Sequence, residues 1–247
     1  VQDIFTLIYK KGDIYKSSYS GHYCTSCETY FTELQLHENY TCPDCGKTTE
    51  IIEEESYFFK MSNYQDKLLE YINTHPDFIQ PKSRRNEMIN FIKQGLEDLS
   101  ISRTSFDWGI PVPIDDKHVI YVWFDALTNY ISALNWSEND KTLFEKFWPA
   151  DIHLVGKDIA RFHCIIWPCM LLSAGLPLPK QIFSHGWLLI DGGKMSKSKG
   201  NVVDPNILID RYGSDALRYY LLSDIVLGQD GNYSEEELIK CINVDLA

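Results

Sequence analysis

Lys194-Met195-Ser196-Lys197-Ser198-Lys199-Gly200-Asn201 is the stretch on which the fold assignment turns. It follows an apolar run, Ile182 to Ile190, and a turn, Asp191-Gly192-Gly193, and it precedes a helical pattern that starts near Pro205. Three lysines separated by small hydroxyl residues and closed by a glycine suit a loop that embraces a polyphosphate. Lysine supplies a compact positive charge, and Ser and Gly let backbone N–H groups approach an anion. A generic Lys/Ser run is more often a solvated basic loop, so the meaning of this one depends on its surroundings.

Upstream, Ile182 to Ile190 reads as a strand, as does Ile152 to Val155, closed by Gly156. Between them, Asp158 opens a helical pattern to Ala174, in which Pro168 should produce a kink. Val119 to Phe124 is a continuous apolar run that suits a buried parallel strand, with Asp125 capping a helix through Leu134. Strand, helix, strand, helix, strand is the pattern of a doubly wound nucleotide-binding fold. Ligands in such sheets sit at the carboxyl ends of the strands, where Trp123, Gly156 and the lysine loop all fall.

Two side-chain stripes start at those ends. Trp123, Ala126 and Tyr130 are spaced i, i+3, i+7, and Ile159, His163 and Trp167 are spaced i, i+4, i+8. Together they offer two indoles, a phenol, an imidazole and aliphatic contacts, a suitable box for a thioether. Either stripe alone would be read as ordinary core.

Four of the seven cysteines form two C-x2-C pairs, Cys24/Cys27 and Cys42/Cys45, with 14 residues between them. Two such knuckles complete a tetrahedral four-thiolate zinc site; its closed shell implies a structural role. Free buried thiols and an iron–sulfur cluster are the alternatives, and His22 and His37 lie near enough to serve as spare ligands. The odd count, with Cys164, Cys169 and Cys241 left over, argues for metal and a reducing compartment rather than a disulfide framework.

The N-terminal part reads as a helix over Gln2 to Tyr9, an extended segment over Ile14 to Tyr23 and a strand end at Ser56 to Lys60. A helix carrying Leu68, Leu69 and Ile72 follows, then another over Arg84 to Leu99 whose basic start is either a solvated basic face, the commoner case, or one that pairs with acids or faces an anion. A further helical segment surrounds Gly213. The net charge of −12 argues against an extensive nucleic-acid surface in this piece. No apolar run approaches the roughly 20 residues of a membrane helix. The chain opens on Val1 and closes within a helical pattern, which reads as a fragment.

Lys194 to Ser198 resembles the signature loop of class I aminoacyl-tRNA synthetases. Nearly the whole chain resembles the methionyl-tRNA synthetase family. The resemblance is carried by the cysteine knuckles, Ser56-Tyr57-Phe58-Phe59, Arg84-Arg85-Asn86-Glu87, Ile101-Ser102-Arg103 and Val122-Trp123-Phe124-Asp125-Ala126. It continues through Gly156-Lys157-Asp158-Ile159, Phe162-His163, Trp167-Pro168, His185-Gly186 and the loop as far as Asp204-Pro205. The resemblance implies an α/β fold: the C-terminal half of a class I synthetase Rossmann-like nucleotide-binding fold with a zinc-knuckle connective insert. The insert would span 1–117 with its knuckle at 21–50, the Rossmann half 118–190, and the loop and stem-contact region 191–247.

It further implies activation of methionine with ATP and Mg²⁺, then transfer to tRNA(Met), in the cytoplasm or an organelle and without a membrane. Trp123, Ala126, Tyr130, Ile159, His163 and Trp167 would form the methionine pocket. Gly156, Asp158, His185, Gly186 and Lys197 would meet ATP. Lys197, Lys194 and Arg103 would act in catalysis, and Cys24, Cys27, Cys42 and Cys45 would hold zinc. The chain departs from the family at Leu127, where proline is common, and in lacking a His-Ile-Gly-His motif, so the piece alone is expected to be inactive. A non-catalytic zinc-ribbon and nucleotide-binding module, or another class I synthetase, are the competing readings.

Overall fold

The computed structural model describes the chain apart from residues 26–28, 32–35, 44, 106, 191 and 196–199. Two compact units alternate along the sequence. The first comprises Val1–Tyr71, Phe91–Pro149 and Ile165–Leu178; the second comprises Ile72–Asn90, Ala150–Cys164 and Pro179–Ala247.

The first unit begins with a helix, Gln2–Lys10, that buries Ile4, Phe5 and Ile8 along one face. The Phe5 ring meets Tyr57 and Phe124 edge-on, each at 6.0 Å between centroids, so helix and sheet share one core. The main sheet is antiparallel, in the order Thr29–Phe31, Ile14–Cys24, Glu50–Phe59, Leu99–Ser100. A second antiparallel sheet places Asp115–Ile120 between Ser102–Arg103 and Pro111–Val112.

The apolar run from Val119 to Phe124 is therefore not a buried parallel strand. Val119 and Ile120 end an antiparallel strand, and a helix, Val122–Ser132, starts two residues later. Tyr121 is the last extended residue, and its carbonyl accepts from the N–H groups of Phe124 and Asp125. Val122 is 61% exposed, which a central strand would not allow. A short apolar run carries no period that separates strand from helix.

The second unit holds a parallel sheet in the order Ile79–Gln80, Ile182–His185, His153–Gly156. The expected strand Ile182 to Ile190 is divided. Ile182–His185 lies in the parallel sheet, whereas Leu188–Ile190 pairs with Gly193–Lys194 and Gly231–Asn232 in another. The chain breaks at Gly186, where a Cβ would lie 2.0 Å from the carbonyl oxygen of Gln229; only glycine permits that approach.

The pattern from Asp158 to Ala174 is also not one α-helix. It runs as a 3₁₀ turn, Lys157–Ile159, a π-helical segment, Phe162–Ile166, and an α-helix, Trp167–Ala174. Pro168 falls where the π-helical segment passes into the α-helix, with Ile166 keeping helical backbone angles, so the regular ladder is interrupted beside the proline as expected. The helix over Arg84 is Lys82–Lys93, shorter than expected, and Leu99 lies in a strand. Arg84 pairs with Glu87 at 2.5 Å, one turn along on a partly exposed face.

Gly213, at φ 84°, separates helices Pro205–Tyr212 and Ser214–Ser223. Their Leu208, Leu217 and Tyr220 pack with Leu238 of Glu235–Cys241 into a small core. Among the described residues, no helix is long and apolar enough to cross a membrane.

Candidate functional site

The cysteine centre lies in the first unit. Cys24 ends a strand, and Cys42 and Cys45 sit on a turn closed by the Gly46 N–H donating to the Cys42 carbonyl at 2.9 Å. The sulfurs of Cys24, Cys42 and Cys45 all lie within 4.8 Å of one another, and Cys24 and Cys45 approach to 3.5 Å. Tetrahedral zinc with Zn–S near ~2.3 Å spaces its sulfurs at about 3.8 Å, so the described thiols fit that ion. Cys24 and Cys42 are buried beside Phe31 and Leu36, while Cys45 is exposed. Cys27 lies outside the described residues. His22 has other work: its Nδ1 is 3.2 Å from Thr49 Oγ1 and its ring stacks on Tyr40.

Glu55, Asp115 and His118 form a second close group. The Lys16 ammonium already joins both carboxylates, at 2.5 and 2.8 Å. Hydrogen bonding raises the Lys16 pKa and lowers those of Glu55 and Asp115. A resident cation makes this an ion-pair cluster rather than a metal centre.

Arg103 lines a cleft of about 790 Å³ in the first unit with Trp108, Tyr121, Val122 and Asp125. Its guanidinium lies 4.7 Å from the Tyr121 ring centroid, and burial pushes that phenol up against the opposing effect of Arg103. Trp123, Ala126 and Tyr130 occupy a half-buried flank of their helix, whereas Phe124, Leu127, Thr128 and Ile131 are its core flank. The departure at Leu127 thus falls on the buried flank. Tyr130 and Trp167 come together with ring centroids 6.2 Å apart, and Trp148 meets Trp167 edge-on at 6.0 Å. The Trp167 indole N–H is buried and finds no acceptor among the described residues.

In the second unit, His185 and Gly156 are paired neighbours at the carboxyl ends of two parallel strands. A Cβ on Gly156 would lie 2.6 Å from Asp158 Oδ1, so the glycine leaves room for that carboxylate. Asp158 is exposed, and the His185 Nδ1 lies 2.8 Å from the Gly186 carbonyl. His163 is 3% exposed, and burial lowers its pKa by disfavouring the charged ring. Its Nδ1–H donates to the Ile159 carbonyl at 3.0 Å, which leaves Nε2 as an acceptor. His153 faces it at 6.2 Å, with its pKa lowered to about 4 by burial and by the neighbouring His163.

Lys194 pairs with Leu189 in the hairpin that leads into the lysine loop; Lys197 lies outside the described residues. Sequence reading missed a group beside this hairpin. The Lys157 ammonium contacts Asp230 Oδ2 at 2.6 Å and lies over the Trp187 ring at 3.9 Å. Asp230 Oδ1 accepts from the Trp187 N–H at 2.9 Å. Lys157 and Trp187 adjoin Gly156 and Gly186 in sequence, a signal that could have found them; Asp230 carries none.

Residues 1–51 and 38–247 match the family described as tRNA synthetases class I (M). The chain belongs to that family. As a class I (M) synthetase sequence it is 63% identical over 247 residues to methionine–tRNA ligase of Caldanaerobacter subterraneus subsp. tengcongensis, covering 100% of this chain and 39% of that protein. Against the methionine–tRNA ligase of Clostridium perfringens it is 62% identical over 248 residues, covering 38% of that protein. It is similar in structure to Mycobacterium tuberculosis methionyl-tRNA synthetase in complex with methionyl-adenylate, with a TM-score of 0.91 and 48% identity over 99% of this chain and 49% of that one. This class I (M) synthetase chain therefore spans about 39% of the length of the curated relatives it matches.

Proposed function

We propose that this chain supplies methionine- and ATP-handling elements of a methionine–tRNA ligase, which activates methionine to its adenylate and transfers it to tRNA(Met). The observation that carries the reading is similarity over the whole chain, at 63% and 62% identity, to two curated methionine–tRNA ligases. Its likeness to a synthetase holding methionyl-adenylate supports the substrate pair. A non-catalytic zinc and nucleotide module, or a synthetase for another amino acid, gains no support.

In this reading 118–190 belongs to the second half of a Rossmann-like domain, 1–117 is a connective insert, and 191–247 carries the lysine loop and stem-contact region. Trp123, Ala126, Tyr130, Ile159, His163 and Trp167 serve the methionine side chain. Gly156, Asp158, His185 and Gly186 receive ATP, accompanied by Mg²⁺. The methionine carboxylate attacks the α-phosphorus, and charge builds on phosphate oxygens and departing pyrophosphate. Lys194, Lys197 and Arg103 stabilise that charge more in the transition state than before it. Removing one such donor typically costs roughly 10²–10³-fold in rate.

Cys24, Cys42 and Cys45 would hold a zinc ion, with Cys27 as the fourth ligand of the sequence motif. When bound, the ion supplies a cross-link for the insert and no step of the reaction.

The test is methionine-dependent ATP–pyrophosphate exchange by the protein at the length of its relatives. Exchange with methionine and not with leucine is expected. Equal exchange with both amino acids, or none with either, would overturn the proposal.

A further inference from the structure

Arg103 is held by an ordered set of hydroxyl groups. Its Nη1 donates to Ser100 Oγ and to the Ser102 carbonyl, both at 2.7 Å. Ser100 Oγ lies 2.7 Å from Ser56 Oγ. Ser56 Oγ in turn lies 3.0 Å from the Ser102 carbonyl, nearer than the 3.2 Å to its other backbone acceptor at Tyr57. Ser102 Oγ accepts from the Tyr57 N–H at 2.8 Å and lies 3.0 Å from His118 Nδ1. The His118 Nε2 faces Glu55 at 3.5 Å and Asp115 at 3.7 Å, the carboxylates that Lys16 joins.

A guanidinium only donates, so Ser100 Oγ and the Ser102 carbonyl both accept from Arg103. The Ser100 and Ser56 hydroxyls share one further hydrogen bond, and Ser56 also reaches the Ser102 carbonyl. The Ser102 hydroxyl accepts from the Tyr57 N–H and shares a hydrogen bond with His118 Nδ1, while His118 Nε2 faces the carboxylates. Ser56, Ser102 and His118 are 2%, 0% and 1% exposed, so water cannot replace a lost partner.

We propose that Ser100, Ser56, Ser102 and His118 are positioning residues for Arg103, fixing one rotation of its guanidinium at the cleft so that its charge meets the reacting phosphates. The proposal rests on the reading of Arg103 as a residue of the activation step. The layer is built from three separate strands, Glu50–Phe59, Leu99–Ser100 and Ser102–Arg103, with His118 on a fourth. No local motif announces it.

The experiment measures methionine-dependent ATP–pyrophosphate exchange per titrated active site in the protein at the length of its relatives, with Arg103→Ala as reference. Ser100→Ala and Ser56→Ala should each lower kcat by roughly tenfold or more, toward the ~10²-fold cost of a displaced catalytic group. The KM for methionine should stay within about twofold, and Ser100→Thr, which keeps the hydroxyl, should restore most of kcat. Arg103→Ala/Ser100→Ala should be no slower than Arg103→Ala, because residues acting through one group do not add. If Arg103→Ala abolishes exchange while Ser100→Ala retains full kcat, the positioning layer is refuted and the reading of Arg103 survives. If Arg103→Ala leaves exchange unchanged, that reading itself is wrong. Should Ser56→Ala fail to fold, the less buried Ser100 decides alone.

Discussion

The Lys157 ammonium lies 3.9 Å from the centroid of the Trp187 ring and stays in contact with Asp230 at 2.6 Å. The pair ties the end of one parallel strand to the base of the hairpin that leads into the lysine loop. Asp230 also fixes the Trp187 N–H, and the Gly231 N–H donates to the Trp187 carbonyl at 2.9 Å. In the protein at the length of its relatives, Lys157→Met should therefore loosen the hairpin base and, on the proposed function, slow exchange by up to ~10²-fold, the cost of a misplacement near 1 Å. The KM for methionine should change little. Unchanged exchange in both Lys157→Met and Asp230→Asn would show that the contact is merely a surface ion pair.

Gly156 and Gly186 should respond differently to alanine. At Gly186 the added carbon meets the Gln229 backbone at 2.0 Å, so the backbone must move, at a cost of about 1–3 kcal/mol. At Gly156 it meets the Asp158 carboxylate at 2.6 Å, a side chain that can swing away. Gly156→Ala should keep nearly the parent melting temperature and, on the proposed ATP role of this glycine, lose ATP affinity; Gly186→Ala should lose several degrees. Equal melting temperatures would contradict the distinction.

The cysteine centre predicts about one zinc per chain after exhaustive dialysis. Cys42→Ser removes a fully buried ligand and should lose the metal and lower the melting temperature. Exchange per titrated active site, in the protein at the length of its relatives, should survive, because in the proposed reading the ion would cross-link the insert and take no part in the chemistry. A parent protein that binds no metal would refute the centre.

Acid should destabilise the protein through His153. Its pKa falls from 6.5 to about 4 on folding, because burial and His163 disfavour the imidazolium. Between those values the unfolded chain binds a proton that the folded chain does not, so stability falls as pH drops from about 6.5 toward about 4. One such group accounts for an order of 2–3 kcal/mol, and His163 acts in the same direction. The gap between urea midpoints at pH 7.5 and pH 5 should narrow in His153→Gln, with His163 accounting for part of what remains; a variant that keeps the parent's pH slope would rule His153 out.

Much of the site was legible locally. The thiols of Cys24, Cys42 and Cys45 converge as their spacing required, and Gly156 and His185 stand at parallel strand ends. The stripe of Trp123, Ala126 and Tyr130 follows the helical period along one half-buried flank. The errors came where the local pattern was ambiguous. Val119 to Phe124 and Ile182 to Ile190 are apolar throughout, so nothing in them marks where a strand ends. The spacing of Ile159, His163 and Trp167 assumed regular α-helix, but a π-helical segment intervenes.

The sequence by itself determined which chemistry-bearing residues are present, the cysteines and the lysine-rich run among them, and how neighbours along one element face, as in the stripe of Trp123, Ala126 and Tyr130. These depend on short-range backbone geometry, which repeats with a fixed period. Only the tertiary structure decided that Lys157 would find Asp230, 73 residues away, and that Gly186 must pass against Gln229. It alone stacked Ser56, Ser100, Ser102 and His118 behind Arg103. Such pairings come from the packing of strands and loops distant in sequence, and no local period records which partner each will meet.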